Sequence, residues 1–260
     1  SRGLGDVYKR QLEICVASKS FGADNLIKWY HTIGDANLNE REEYQKKTEL
    51  LLLNTFFSHF PEMEIENLTS ESPDFIINYK GKRIGLEVSE IINHFELKKK
   101  ESYINAIFRD VEKELNQYKS LFGIHYLDID YQNPEIFCQQ EKLTKEILSA
   151  ITNNKKTGFV KNIRRTPSPK GVFLFLEYSL SLFDELDSEK ILDVIKKKNS
   201  KYPLYDGKSE ECWLVLVSNM YNMSSRYSYI HQKEKLRDVD SPFRRILHIE
   251  NLSSQIISIK

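Results

Sequence analysis

Ser72-Pro73-Asp74, then Phe75-Ile76-Ile77-Asn78-Tyr79, then the turn Lys80-Gly81-Lys82, then Arg83-Ile84-Gly85-Leu86-Glu87-Val88-Ser89: this stretch decides the reading of the chain. Asp74–Tyr79 and Arg83–Ile91 read as two strands around a Gly81 turn. Phe75, Ile76 and Ile77 are consecutive and apolar, the pattern of a strand buried on both faces. Asp74 and Glu87 then fall at the ends of adjacent strands, on one edge of a sheet where they can share a divalent metal. Strand alternation puts Glu87 and Ser89 on one face and Val88 on the other. Glu87 sits among Ile84, Leu86 and Val88, where an unpaired carboxylate is costly.

Around this stretch, helices and strands alternate. Leu38–Phe60 reads as an amphipathic helix with Tyr44, Leu51, Leu52, Thr55 and Phe56 on one face and Pro61 after its end. Met63–Leu68 reads as a short strand and Phe95–Phe122 as a long helix. Tyr126–Tyr131 is expected as an edge strand, Glu141–Thr152 as a helix, and Asn154–Lys170 as a polar, basic loop. Gly171–Tyr178 and Cys212–Ser218 read as buried strands, separated by a helix over Ser188–Lys198 capped by Asp187 or Ser188. Phe243–Ile249 and Gln255–Ile259 close the chain as strands. The expected class is α/β, with a central mixed β-sheet flanked by helices on both faces. Residues 12–260 read as a single domain carrying a basic insertion near 154–170, and Ser1–Gln11 (SRGLGDVYKRQ) reads as adapter-derived and is set aside.

Composition narrows the function classes. Thirty-eight Lys and Arg balance thirty-eight Asp and Glu, so nucleic-acid affinity must come from local patches rather than from net charge. Apolar runs such as Leu50–Leu53 are far short of the roughly 20 residues that span a bilayer, and no membrane role is expected. Cys15, Cys138 and Cys212 form no metal or disulfide pattern, which fits a reducing cytoplasm, and Cys212 reads as core. There is no Gly-rich phosphate loop or Gly-x-Ser-x-Gly, and no two histidines stand at metal-ligand spacing. His94, seven residues past Glu87, reads as a capping residue or a neighbour of the site.

Pro73-Asp74 and Glu87-Val88-Ser89, preceded by a helix bearing Glu49, resemble the restriction-endonuclease-like superfamily, whose signature is Pro-Asp, a spacer, then Asp/Glu-x-Lys. The order helix-strand-strand-strand-helix-strand matches that core. The resemblance implies a Mg²⁺- or Mn²⁺-dependent nuclease in which Asp74, Glu87 and the Val88 carbonyl bind metal. It also implies an acid from the preceding helix, Glu49 or else Glu43. Ser89 stands where the family carries Lys. The chain further resembles a bacterial branch with Glu-x-Ser/Thr here and a later Lys-x-x-Lys-Tyr run, matched by Lys198, Lys201 and Tyr202 before Trp213-Leu214. Lys198 or Lys201 is then the relocated lysine, ahead of Lys82. The implied partner is nucleic acid, DNA before RNA, with a homodimer possible. The alternative is a catalytically inactive nuclease-fold protein that binds nucleic acid or a protein. Lys155, Lys156, Lys161, Arg164, Arg165 and Lys170, with Lys98–Lys100, are the candidate backbone contacts. Tyr221, Tyr227 and Tyr229 beside Arg226 either stack bases or pack on the sheet.

Overall fold

A computed structural model of the chain describes residues 29, 32, 33, 36, 38–68, 72–130, 133–167, 171–177, 185–205, 207–218, 222–227, 230–250 and 255–260. Ser1–Gln11, Cys15, His31, Tyr131, Pro169, Lys170, Tyr178, Tyr221 and Tyr229 lie outside the described residues. In chain order the elements are α1 (Glu40–Leu52), α2 (Asn54–His59), β1 (Glu64–Asn67), β2 (Phe75–Tyr79), β3 (Lys82–Glu90), α3 (Phe95–Leu115), β4 (Gly123–Ile129), α4 (Gln140–Asn153), β5 (Val160–Pro167), β6 (Val172–Leu176), β7 (Leu186–Asp187), α5 (Ser188–Asn199), β8 (Glu211–Ser218), β9 (Ile230–His231), β10 (Arg245–Glu250) and β11 (Gln255–Ser258).

The chain divides into two compact units, where the sequence reads as one domain. The first is the chain up to Asn93 together with Phe183–Lys260, and the second is His94–Leu182. Each unit closes its own apolar core, which is the physical basis of the division.

The first unit is built on a six-stranded sheet in the order β1-β2-β3-β8-β10-β11. β1, β2 and β3 are antiparallel neighbours, β3, β8 and β10 run parallel, and β11 returns antiparallel to β10. The sheet is therefore mixed, as the sequence leads one to expect. One face packs Phe75, Ile77, Leu86, Val88, Val215 and Val217 against Leu50, Leu53, Phe56 and Phe57 of the α1–α2 region. The other packs Leu214, Leu216 and Ile246 against Ile191 and Ile195 of α5. The expected helix 38–60 is two helices, divided by a turn at Leu53. Asp187 caps α5, accepting from the Glu189 backbone N–H at 3.0 Å.

Polar groups inside this unit are satisfied in a group around His248. Its Nε2 lies 3.1 Å from Ser218 Oγ and 2.8 Å from the Tyr227 hydroxyl, which also donates to Glu250 Oε1 at 3.1 Å. Burial, and to a lesser degree Lys233, pushes the His248 pKa down to about 4, so the ring is neutral at physiological pH. Tyr227 thus packs on the sheet and is no platform for bases.

The second unit is a three-stranded sheet, β5-β4-β6, covered by α3 and α4 through Ile104, Phe108, Val111, Leu143, Ile147 and Ile151. Two expectations are corrected. β4 is the central strand rather than an edge, since the half-buried Tyr126 and Asp128 that alternate with its buried residues lie between two neighbours. About half of the expected loop 154–170 is β5, an edge strand held by Val160 and Ile163 against the core while its charged residues face outward. Those charges are largely tied down. Lys161 pairs with Asp130 at 2.8 Å, and Arg164 pairs with Glu177 at 3.0 Å and lies over the Tyr126 ring. Arg165 donates to the Ser120 and Phe122 carbonyls.

Candidate metal centre

The β2–β3 hairpin places the acids. Lys80 and Gly81 both have positive φ (53° and 76°), the left-handed pair that a two-residue hairpin turn requires. That turn sets Tyr79 opposite Lys82 and, four rungs on, Phe75 opposite Leu86. Asp74 is consequently adjacent to Glu87, and its Oδ2 accepts the Val88 backbone N–H at 2.7 Å. A one-residue slip would send Glu87 into the face now filled by Leu86 and Val88.

Gly85 holds the same corner. A β-carbon there would stand 2.5 Å from Pro73 Cγ, 2.9 Å from Ser209 Oγ and 3.0 Å from Cys212 Sγ. The missing side chain lets the Pro73 ring sit against β3 and so fixes where Asp74 begins. Gly85→Ala is expected to cost about 1–3 kcal/mol through this overpacking. Urea denaturation checks the cost, and a loss below about 0.5 kcal/mol would show that the corner yields.

Two lysines converge on the buried acids from helices on opposite faces of the sheet. Lys198, on α5, donates to Glu87 Oε1 at 2.6 Å and to the Val88 carbonyl at 3.3 Å. Lys46, on α1, donates to Glu49 Oε2 at 3.0 Å and to the Asp74 carbonyl at 2.9 Å, and stands 3.6 Å from Asp74 Oδ1. Glu49 thus joins the group, whereas Glu43 pairs with Lys47 along the helix. Lys201 is exposed just beyond α5 and enters none of these contacts, so of the two candidate lysines only Lys198 reaches the acids. Lys82 is exposed at the turn, 3.7 Å from Glu211. Ser89 is half-buried, opposite Leu216 of β8, two residues beyond Glu87 on the same strand face. His94 opens α3 without a side-chain capping bond.

The electrostatics of this corner are strained. Burial first, then the charges of Glu49 and Glu87, raise the Asp74 pKa to about 7, against the opposing pull of Lys46 and the Val88 N–H. Tyr205, in the short turn after α5, brings a buried hydroxyl beside Glu87. Burial, and then the negative charge of Glu87, push that phenol's pKa well up. Carboxylates and a backbone carbonyl are hard oxygen donors, and a hard dication would oppose both the burial and the repulsion that raise Asp74. By donor type these residues suit Mg²⁺ or Mn²⁺. Among the described residues no three His, Cys, Asp or Glu side chains are arranged to hold a metal by themselves. Asp74 and Glu87 would rely on the Val88 carbonyl, water or substrate oxygen for the rest.

Lys46 and Tyr205 are absent from the sequence reading. Lys46 had a signal: it stands four residues before Leu50 and seven before Leu53, on the buried stripe that runs from α1 into the turn after it. Tyr205 had none, since its place depends on how the turn after α5 packs.

Comparison with protein-family models, with curated proteins and with solved structures returns no match. Among the described residues no helix is long and apolar enough to cross a membrane.

Proposed function

We propose that this chain is a divalent-cation-dependent phosphodiester hydrolase of the restriction-endonuclease-like class, acting on nucleic acid, DNA before RNA. The observation that carries the reading is the buried arrangement of Asp74 and Glu87 across the hairpin, with Lys198 delivered to Glu87 from α5. The succession α1, β1, β2, β3, α5, β8 around it supports the class, the second unit being inserted between β3 and β7. Asp74, Glu87 and the Val88 carbonyl would hold Mg²⁺ or Mn²⁺, assisted by Glu49. When bound, such an ion lowers the pKa of water and offsets charge on phosphoryl oxygens.

The chain's own groups supply the remainder. The Val88 N–H orients Asp74, and Lys198 orients Glu87. An ammonium has three donors, and Lys198 uses two of them on Glu87 and the Val88 carbonyl. The third is available to a phosphoryl oxygen, the charge-offsetting role that the resemblance assigns to the motif lysine. Lys198 thus compensates for Ser89.

Ser89 also favours a second reading, a non-catalytic member of the class that binds nucleic acid or a protein. The two are separated by incubating purified protein with single- and double-stranded DNA and RNA in Mg²⁺ and in Mn²⁺. Cleavage lost in Glu87→Gln supports the hydrolase. Salt-dependent binding without cleavage, undiminished in Glu87→Gln, supports the second reading. Neither binding nor cleavage would overturn the nucleic-acid role.

A further inference from the structure

The site holds a buried lysine that the hydrolase reading leaves without a task. Lysine is rarely this buried unless it is paired, and Lys46 is paired with the very atoms that a cation would use. Its ammonium contacts Glu49 Oε2 at 3.0 Å and stands 3.6 Å from Asp74 Oδ1, with the Asp74 carbonyl and the Phe75 ring completing its surroundings. Lys198, by contrast, faces Glu87 Oε1.

Charge makes the conflict explicit. Glu49, Asp74 and Glu87 are three carboxylates, and Lys46 and Lys198 are two ammonium groups. A dication added to that set leaves an excess positive charge in a buried corner, with Nζ of Lys46 and the ion drawn to the same oxygens. Withdrawal of one ammonium restores neutrality. Lys46 is the one to withdraw, because the oxygens it holds belong to the metal candidates Glu49 and Asp74, whereas Lys198 has a role to keep at Glu87.

We propose that Lys46 is an internal counter-cation that competes with a divalent ion for Glu49 and Asp74, so that metal loading and displacement of its ammonium are one event. The proposal rests on the metal reading of the site. It makes Lys46 a positioning residue that sets the metal concentration at which the site fills.

The test is Mn²⁺ titration calorimetry at pH 8 on wild type, Lys46→Met and, as control, Lys47→Met, which removes a lysine whose pair, Glu43, lies outside the site. Each protein's melting temperature without metal is recorded alongside. Removing the competitor is expected to tighten Mn²⁺ binding at least tenfold in Lys46→Met, to lower its metal-free melting temperature, and to leave Lys47→Met binding like wild type. Lys46→Gln, which keeps a donor for the Asp74 carbonyl, serves in place of a methionine variant that does not fold. Binding in the variant alone also supports the proposal. Wild-type binding that is unchanged or weakened in Lys46→Met overturns the role of Lys46 and leaves the metal site standing. Absence of binding in every protein overturns the metal reading and this proposal with it.

Discussion

Asp74→Asn will raise the melting temperature of the metal-free protein at pH 8. Asp74 titrates near pH 7 in the folded chain, because burial and then Glu49 and Glu87 oppose its charge. In an unfolded chain an aspartate titrates at about 3.9. Between those values the folded state keeps a proton that the unfolded state has lost. Stability from this group is therefore greatest below about pH 4, falls as pH rises toward 7, and is flat above. The loss is at most on the order of 4 kcal/mol, since each pKa unit is about 1.4 kcal/mol. Asparagine is neutral throughout, and its amide oxygen can still accept the Val88 N–H. The variant is expected to melt on the order of 5–10 °C above wild type at pH 8 and to lose most of the advantage by pH 4. Thermal melts over that pH range check the sign. A variant that melts lower at pH 8 would mean that Lys46 and the Val88 N–H outweigh burial. A stabilising loss of an acid is what a site built to meet a cation should show.

Lys198→Met will be the most destabilising substitution in the site. It strips the buried Glu87 carboxylate of the ammonium 2.6 Å from Oε1, leaving an uncompensated charge beside Leu214 and the Tyr205 phenol. Breaking one side of a buried pair costs about 3–5 kcal/mol. The double variant Glu87→Gln/Lys198→Met removes both charges and is expected to recover at least about 2 kcal/mol of that loss. Lys201→Met, at an exposed position, is expected to change stability by less than about 0.5 kcal/mol. Both tryptophans, Trp29 and Trp213, pack with the core of the first unit, so their fluorescence follows unfolding of the unit that carries the site. A Lys198→Met cost as small as that of Lys201→Met would remove the ion pair from the account.

What the sequence made legible follows from local physics. The hairpin was readable because Gly81 and two apolar runs leave one register, and that register brings Asp74 beside Glu87. Lys198 was readable in part. It extends the α5 stripe Ile191–Ile195 by three residues, and this helical phase separates it from Lys201 beyond the helix end. The division into two units was not readable. The linkers around His94 and Leu182 carry no composition change, and the second core closes through contacts between α3, α4 and β4–β6 that no local pattern announces. β5 read as a loop because its outward charges mask the two apolar positions, Val160 and Ile163, that anchor it. Helix 38–60 read as one element because the turn at Leu53 falls inside a run of leucines that no local signal interrupts. Lys46 was hidden by the ordinary expectation that lysines on a charged helix face water.

The central claim is that Asp74 and Glu87 form one divalent-cation site, and Mn²⁺ titration calorimetry of wild type, Asp74→Asn and Glu87→Gln at pH 8 tests it most directly. The account predicts one site with micromolar-to-millimolar affinity in wild type, weakened at least tenfold or lost in each variant while both remain folded. Its affinity should fall as pH is lowered below 7, where Asp74 holds a proton that the ion must displace. Wild-type binding that survives both substitutions, or no binding with or without an oligonucleotide present, would contradict it.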